Sequence, residues 1–283
     1  MTETVPIHEL PSQRFYFSMG ILLNTTLTWE GFPDSVTETN KKLYSIIDNY
    51  YLESLSILNS SLKKERDILE EIESKLQESR KHLHDLIQAR EKMDEEHAEL
   101  SRYRQATHVS NREEHFRMKE LEIEMNSVAS IVMLLSLLES TLLRVSKELI
   151  ESDSNLPKMH DVMNKKDNGI VKYLKYFEKY IEKQDEQFIV GSMKYQSLMF
   201  WLKVRNNIVH NNNVVTDEIL ADAKRLKIDI SKNLHTHKFS FKHNDVMNLG
   251  NLCGLILDDC IEKGLYSHFS IEEIIAAEDS ESK

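Results

Sequence analysis

Apolar residues recur at Leu43, Ile46, Ile47, Tyr50 and Leu58, and then at Ile68, Leu69, Ile72, Leu76, Leu83, Leu86, Ile87, Met93 and Leu100, at spacings of three, four and seven. This is the period of a helix with one narrow apolar seam. The residues between are almost wholly charged, as in Lys63-Lys64-Glu65-Arg66-Asp67, so the stretch predicts a long coiled-coil helix. No Gly or Pro appears from Val36 until Pro157, which suits few folds except one built on long helices. Asn59-Ser60-Ser61 is a candidate kink. A full break is expected around residues 106–110, where Ser110 followed by Glu113 has capping-box spacing. A second helix is then predicted from Asn111 to about Glu151, folding back on the first as a hairpin. After Met125 this helix turns apolar on most sides, with Ile131, Leu134, Leu135, Leu138 and Leu142 among others, the pattern of a helix inside a core.

Beyond Pro157 the breaks come faster. Asn168-Gly169, Gly191 and the run Asn211-Asn212-Asn213 bound two predicted helices, over 170–183 and 192–210. Residues 234–245 read as irregular or extended, and 246–262 as a closing core helix. Residues 14–29, rich in Phe, Tyr, Thr and Leu, suggest a strand pair or an irregular apolar cap. Pro33-Asp34 ends that stretch, with Ser35 as N-cap and Glu38 at the box spacing. The predicted class is all-α: an uncertain cap at 1–35, a coiled-coil hairpin at 36–124, a helical bundle at 125–265 and an acidic tail at 266–283.

Composition changes this picture little. Seven Gly and four Pro in 283 residues, with 29% charged, favour helices over sheet, and the length suggests about two domains. Cys253 and Cys260 lie seven apart in an apolar run and read as buried free thiols of a reducing compartment. The N-terminus lacks a charged-then-apolar leader, and no apolar run was expected to reach the ~20 residues that span a bilayer, so the sequence reads as cytoplasmic with no membrane partner. The net charge of −11 opposes nucleic-acid binding. It is uneven, however: residues 155–245 hold 16 Lys+Arg against 11 Asp+Glu, a local +5 that leaves −16 for the rest. A mildly basic half joined to an acidic half suits an RNA-contacting domain with a differently employed extension.

The chemistry concentrates in one helix, Trp201-Leu202-Lys203-Val204-Arg205-Asn206-Asn207-Ile208-Val209-His210, followed by three Asn. At about 100° per residue, Leu198, Trp201, Leu202, Ile208 and Val209 surround Arg205, which puts a charge mid-way along an apolar face. His210 closes the helix. A guanidinium that neutralises developing negative charge and an imidazole that transfers protons together suit phosphodiester chemistry.

Arg205-Asn206, with His210 after four intervening residues, resembles the R-x(4–6)-H motif of HEPN domains, and the order of helices over about 125–265 is similar to theirs. The resemblance implies a metal-independent endoribonuclease without cofactor. Its motif helices meet across a homodimer and cut RNA to a 2′,3′-cyclic phosphate and a 5′-hydroxyl, as in toxins and abortive-infection effectors. It implies Arg205 and His210 as the catalytic pair, Asn206 as a phosphate holder or a mere cap, Asn211 as a supporting residue, and Glu139 as an orienting group or an ordinary surface residue. Some members carry Tyr two residues after the His; here that position is Asn212, so regulation through that Tyr does not carry over. The competing reading is a non-catalytic scaffold in which Arg205 and His210 only fix packing. In either case the coiled coil is expected to serve a regulator, an antitoxin or self-association. His235, His237 and His243 lack a zinc spacing and read as solvated loop histidines, and His82 and His84 as surface residues. No Gly-rich phosphate loop or nucleophile elbow is present.

Overall fold

The computed structural model describes residues 38–90, 95–164, 166–167, 169–181, 189–232 and 237–260. The expected N-terminal cap, the acidic tail, His235 and the last turn of the closing helix lie outside them. The described chain is all-α but for one small ribbon. Two helices of 53 and 58 residues, α1 (Glu38–Arg90) and α2 (Glu95–Ser152), form the antiparallel hairpin. There follow a single turn α3 (Met159–Val162), α4 (Gly169–Tyr176) running on into a wider π turn (Phe177–Ile181), α5 (Met193–His210) and α6 (Asp217–Leu226). The strands β1 (Ser231–Lys232) and β2 (Phe239–Ser240) pair antiparallel, and α7 (His243–Cys260) closes the described chain.

The hairpin differs from expectation in where it breaks. α2 runs unbroken through 106–110, and Ser110 and Glu113 lie inside it. A hydroxyl inside a helix can bond back to its own preceding turn, as Thr107 Oγ does to the Tyr103 carbonyl at 3.1 Å, so a local cap signature need not end a helix. The antiparallel register is held instead by long-range pairs: Lys42 with Glu148, Lys75 with His115, and Asn126 donating to the Ser61 carbonyl. The expected kink at Asn59-Ser60-Ser61 is also absent, since α1 passes straight through it.

The core is larger than the predicted bundle. Leu43, Ile46, Ile47, Tyr50, Tyr51 and Leu58 of α1 are buried in the same cluster as Leu134, Leu138 and Leu142 of α2, Leu174 of α4, Val204 of α5 and Ile256 of α7. The division expected at residue 125 therefore does not separate two cores, because the first 20 or so residues of α1 are a wall of the bundle. α7 packs on both α1 and α2. Gly250 makes this possible, since a Cβ there would lie 3.1 Å from Leu58 Cδ2. Tyr51 donates a hydrogen bond to Asp258, tying α1 to the end of α7. Cys253 and Cys260 are free and buried, and burial pushes the Cys253 thiol up to about 12.

One described helix, within residues Ser101–Ser152, is long and apolar enough to cross a membrane by length and composition, which corrects the expectation that no such run exists. Its apolar face, including Ile131, Leu134, Leu138 and Leu142, is packed into the core. His243 is also corrected. It is buried at the start of α7, with its backbone N–H donating to Glu65 at 2.8 Å and its Nδ1 3.4 Å from Ser61 Oγ. Of the three loop histidines in the sequence reading, only His237 is seen exposed.

Candidate active site

Everything that bears on the candidate chemistry lies on α5 or just beyond it. The helix starts at Ser192, whose hydroxyl accepts the Tyr195 N–H at 3.1 Å, as an N-cap should. Leu198, Trp201 and Val204 are buried and anchor it. Trp201 lies 5.7 Å from the Phe241 ring and Phe241 stacks at 5.0 Å on Phe239, so the β2–α7 junction holds the middle of α5.

The three Asn have a backbone reason to be there. Asn211 is the C-cap, donating its N–H to the Asn207 carbonyl at 2.8 Å, and Asn213 donates to the same carbonyl at 3.4 Å. Asn212 and Asn213 take φ of 54° and 64°, left-handed values that Asn tolerates better than most residues. The Asn213 carbonyl then accepts the Phe239 N–H at 3.2 Å, and Val215 N–H donates to the His237 carbonyl at 3.0 Å. The end of α5 is thus clamped to the ribbon.

Arg205 is half-buried, His210 exposed. Arg205 Nε is shielded from solvent and has no hydrogen-bond partner, and among the described residues no carboxylate lies within ion-pair distance of its guanidinium. Seven buried side-chain polar atoms lack a partner among the described residues, and four are hydroxyls. The other three are Arg205 Nε, Asn207 Oδ1 and Asn213 Oδ1, all within nine residues of one another. Buried polar groups without partners are uncommon, and their concentration here singles out this helix end.

A groove of ≈ 690 Å³ runs between α5 and α6. It is lined by Asn206, Asn207, His210 and Asn211 on one side and by Glu218 and Asp222 on the other, with Tyr195 and Met199 further along. Arg205 does not line it. Five residues along a helix turn the direction by about 140°, so Arg205 and His210 leave the same helix on different sides. Glu139 is not brought to either one. Its carboxylate lies against Gly169, where a Cβ would come within 2.9 Å of Oε1, and beside Tyr173. The Tyr173 phenol is raised first by burial and then by the Glu139 charge.

The groove's own charges are mutually satisfied. Lys203 bonds Glu218 at 2.5 Å and Asp222 at 2.8 Å, and Arg225 reaches Asp222 at 3.3 Å and Gln196 at 3.4 Å. The bond to Lys203 holds the Asp222 carboxyl below its ordinary value, and Asp222 and Glu218 raise Lys203. Sequence reasoning missed α6 and with it this wall, although Thr216 is an N-cap accepting the Ile219 N–H, with Asp217 and Glu218 in the first turn and Lys224 and Arg225 in the last. No group of three or more His, Cys, Asp or Glu suited to a metal occurs among the described residues.

The chain matches no protein-family model, no curated protein and no solved structure. Its resemblance to HEPN domains therefore rests on Arg205, Asn206 and His210 and on the order of its helices.

Proposed function

We propose that the chain is a metal-independent endoribonuclease of HEPN type, acting as a homodimer, in the manner of toxins or abortive-infection effectors. The observation that carries this reading is the guanidinium of Arg205, half-buried with Nε unpartnered, on the helix that ends in an exposed His210. A buried cation without a carboxylate is expensive unless something anionic arrives to complete it, and a phosphodiester is such a group. Because the two side chains diverge on one helix, two copies of α5 facing each other supply what one lacks: the guanidinium of one beside the imidazole of the other.

In that cleft one imidazole accepts the proton of the ribose 2′-hydroxyl as its oxygen attacks phosphorus. The second gives a proton to the departing 5′-oxygen, leaving a 2′,3′-cyclic phosphate and a 5′-hydroxyl. Arg205 stabilises the charge on the non-bridging oxygens. Asn206 and Asn211, beside His210, position the chain.

The test is incubation of purified protein with single-stranded RNA in EDTA. Cleavage is expected, with cyclic-phosphate ends. His210→Ala should lower the rate about 100- to 10,000-fold with the fold intact, and Arg205→Lys should remain poor because an ammonium lacks the two-pronged contact. Full cleavage by His210→Ala, or strict dependence on a divalent ion, would overturn the assignment. A second reading, a partner-binding scaffold, is favoured by Leu62, Leu69, Leu76 and Leu83, which repeat every seven residues along α1 and are 37–50% exposed. Induced expression separates the two, since a ribonuclease toxin arrests growth and a scaffold does not.

A further inference from the structure

We propose that the groove between α5 and α6 holds one unstacked base of the RNA, and that Asn207 reads that base's hydrogen-bonding edge. The inference rests on the nuclease reading for its ligand class and adds a recognition site to it.

Asn207 is 5% exposed, lines the groove, and has an Oδ1 with no hydrogen-bond partner. It stands among Val204 and Ile208 on a helix whose inner side is otherwise apolar, where a leucine would pack without any polar penalty. An amide brings both a donor and an acceptor. An amide held in that position with its acceptor unspent is suited to a group that comes from outside.

The groove decides what that group is. Its ≈ 690 Å³ lies in the range of small-molecule sites, roughly 300–1,000 Å³, and admits a nucleoside. Its charges are already paired, Lys203 with Glu218 and Asp222, and Arg225 with Asp222, so no free cation waits for a phosphate. Tyr195 supplies an aromatic ring and Met199 an apolar surface. A neutral, flat, hydrogen-bonding group fits such walls, and a base splayed out of single-stranded RNA is one. His210 and Asn206 line the same groove, so the base it holds belongs to the nucleotide at the cut. Since the unspent atom is an acceptor, the matching edge carries an exocyclic amine, as adenine and cytosine do and uracil does not.

The experiment uses full-length protein carrying His210→Ala and labelled octamers of A, C or U, read by fluorescence anisotropy. Tighter binding of the A and C octamers is expected. Asn207→Leu should weaken them about tenfold and leave the U octamer unchanged, with an unfolding midpoint equal or higher because an unpaired acceptor has gone. Asn207→Ser, of smaller bulk, should give the same loss should the leucine variant not fold. In cleavage-competent protein the same substitutions should flatten the base preference at the cut. Asn207-dependent selectivity without any cleavage would sink the nuclease reading and keep the base site. Cleavage that requires His210 but ignores both Asn207 and base identity would sink the base site and keep the nuclease. Equal affinity for all three octamers, or a loss of stability on removing the amide, overturns the proposal.

Discussion

The two halves of α1 are one helix with one hydrophobic period, yet they live in opposite surroundings. From Leu43 to Leu58 its apolar residues are at most 7% exposed, at Leu43, Ile46, Ile47, Tyr50, Tyr51 and Leu58, and packed against α2 and α7. Beyond Ser61 only Ile68 is similarly covered, while Leu62, Leu69, Leu76 and Leu83 are 37–50% exposed. The distal arm has a single partner, α2, and much of what joins the two is ionic: Glu71 bonds Lys119 at 2.7 Å and Lys75 at 2.8 Å, which holds its carboxyl down to about 2. Exposed pairs of this sort add little to stability. Period alone therefore announces a helix but not its burial; the number of neighbours decides that. The arm is a limb on a core that already contains the candidate site.

Two deletions should separate limb from core most sharply. Removing residues 1–110 takes six buried α1 side chains out of the bundle. Each loss of that kind costs about 2–5 kcal/mol, against a total stability of about 5–15 kcal/mol, so the product should be unfolded by circular dichroism. Excising only 69–119 and joining the ends with a short Gly-containing turn removes no core residue except the satellite Ile68 contact. That variant should remain folded and, on the nuclease reading, cleave RNA at a rate within a few-fold of the full chain. A folded 1–110 deletion, or an unfolded 69–119 excision, would reverse the comparison.

Single substitutions sharpen it on a smaller scale. Leu138→Ala, at a fully buried position of α2, should cost about 2–5 kcal/mol in urea denaturation. Leu76→Ala, 37% exposed on the arm, should change stability by only about 0.5 kcal/mol. Similar losses at both sites would show that the arm is covered in solution, which the scaffold reading requires.

The sequence made the long helices legible because a run without Gly or Pro and with a steady seam leaves few alternatives. It also made the motif helix legible: the expected 192–210 is Met193–His210 with Ser192 as cap. The hairpin break was misplaced because capping signals are local, whereas antiparallel register is set by partners such as Asn126 and Ser61, 65 residues apart. The shared core was illegible for a related reason: nothing in residues 43–58 says that α7, nearly 200 residues later, will carry a glycine opposite Leu58. α6 was within reach from Thr216-Asp217-Glu218 but looked like a polar insertion, since its ten residues bury only Ile219, Ala223 and Leu226. Asn207 was hidden among four other Asn, and only packing shows that its amide, unlike those of Asn206 and Asn211, is buried.

The smallest expected effect lies at the joint between limb and core. His243 is packed where α7 begins, its backbone N–H on Glu65 and its ring near Ser61, both from α1. Burial lowers its pKa below the ordinary value, and the nearby Glu65 carboxylate opposes that only in part. In the unfolded chain the imidazole titrates at about 6.5. A group whose folded pKa is depressed binds protons more readily when unfolded, so its contribution is whole above that pH and is lost as pH falls through the folded value. The unfolding midpoint should therefore decline from pH 7 towards pH 5. Asp245, raised by its own burial, acts with the opposite sign at lower pH, because its protonated form is favoured in the folded state. Comparing the chain with His243→Gln isolates the histidine: the variant keeps a polar side chain that cannot charge, and its midpoint should be flatter between pH 7 and 5. Parallel profiles for the two proteins would mean that His243 is as well solvated when folded as when unfolded, and that the junction between α1 and α7 is open in solution.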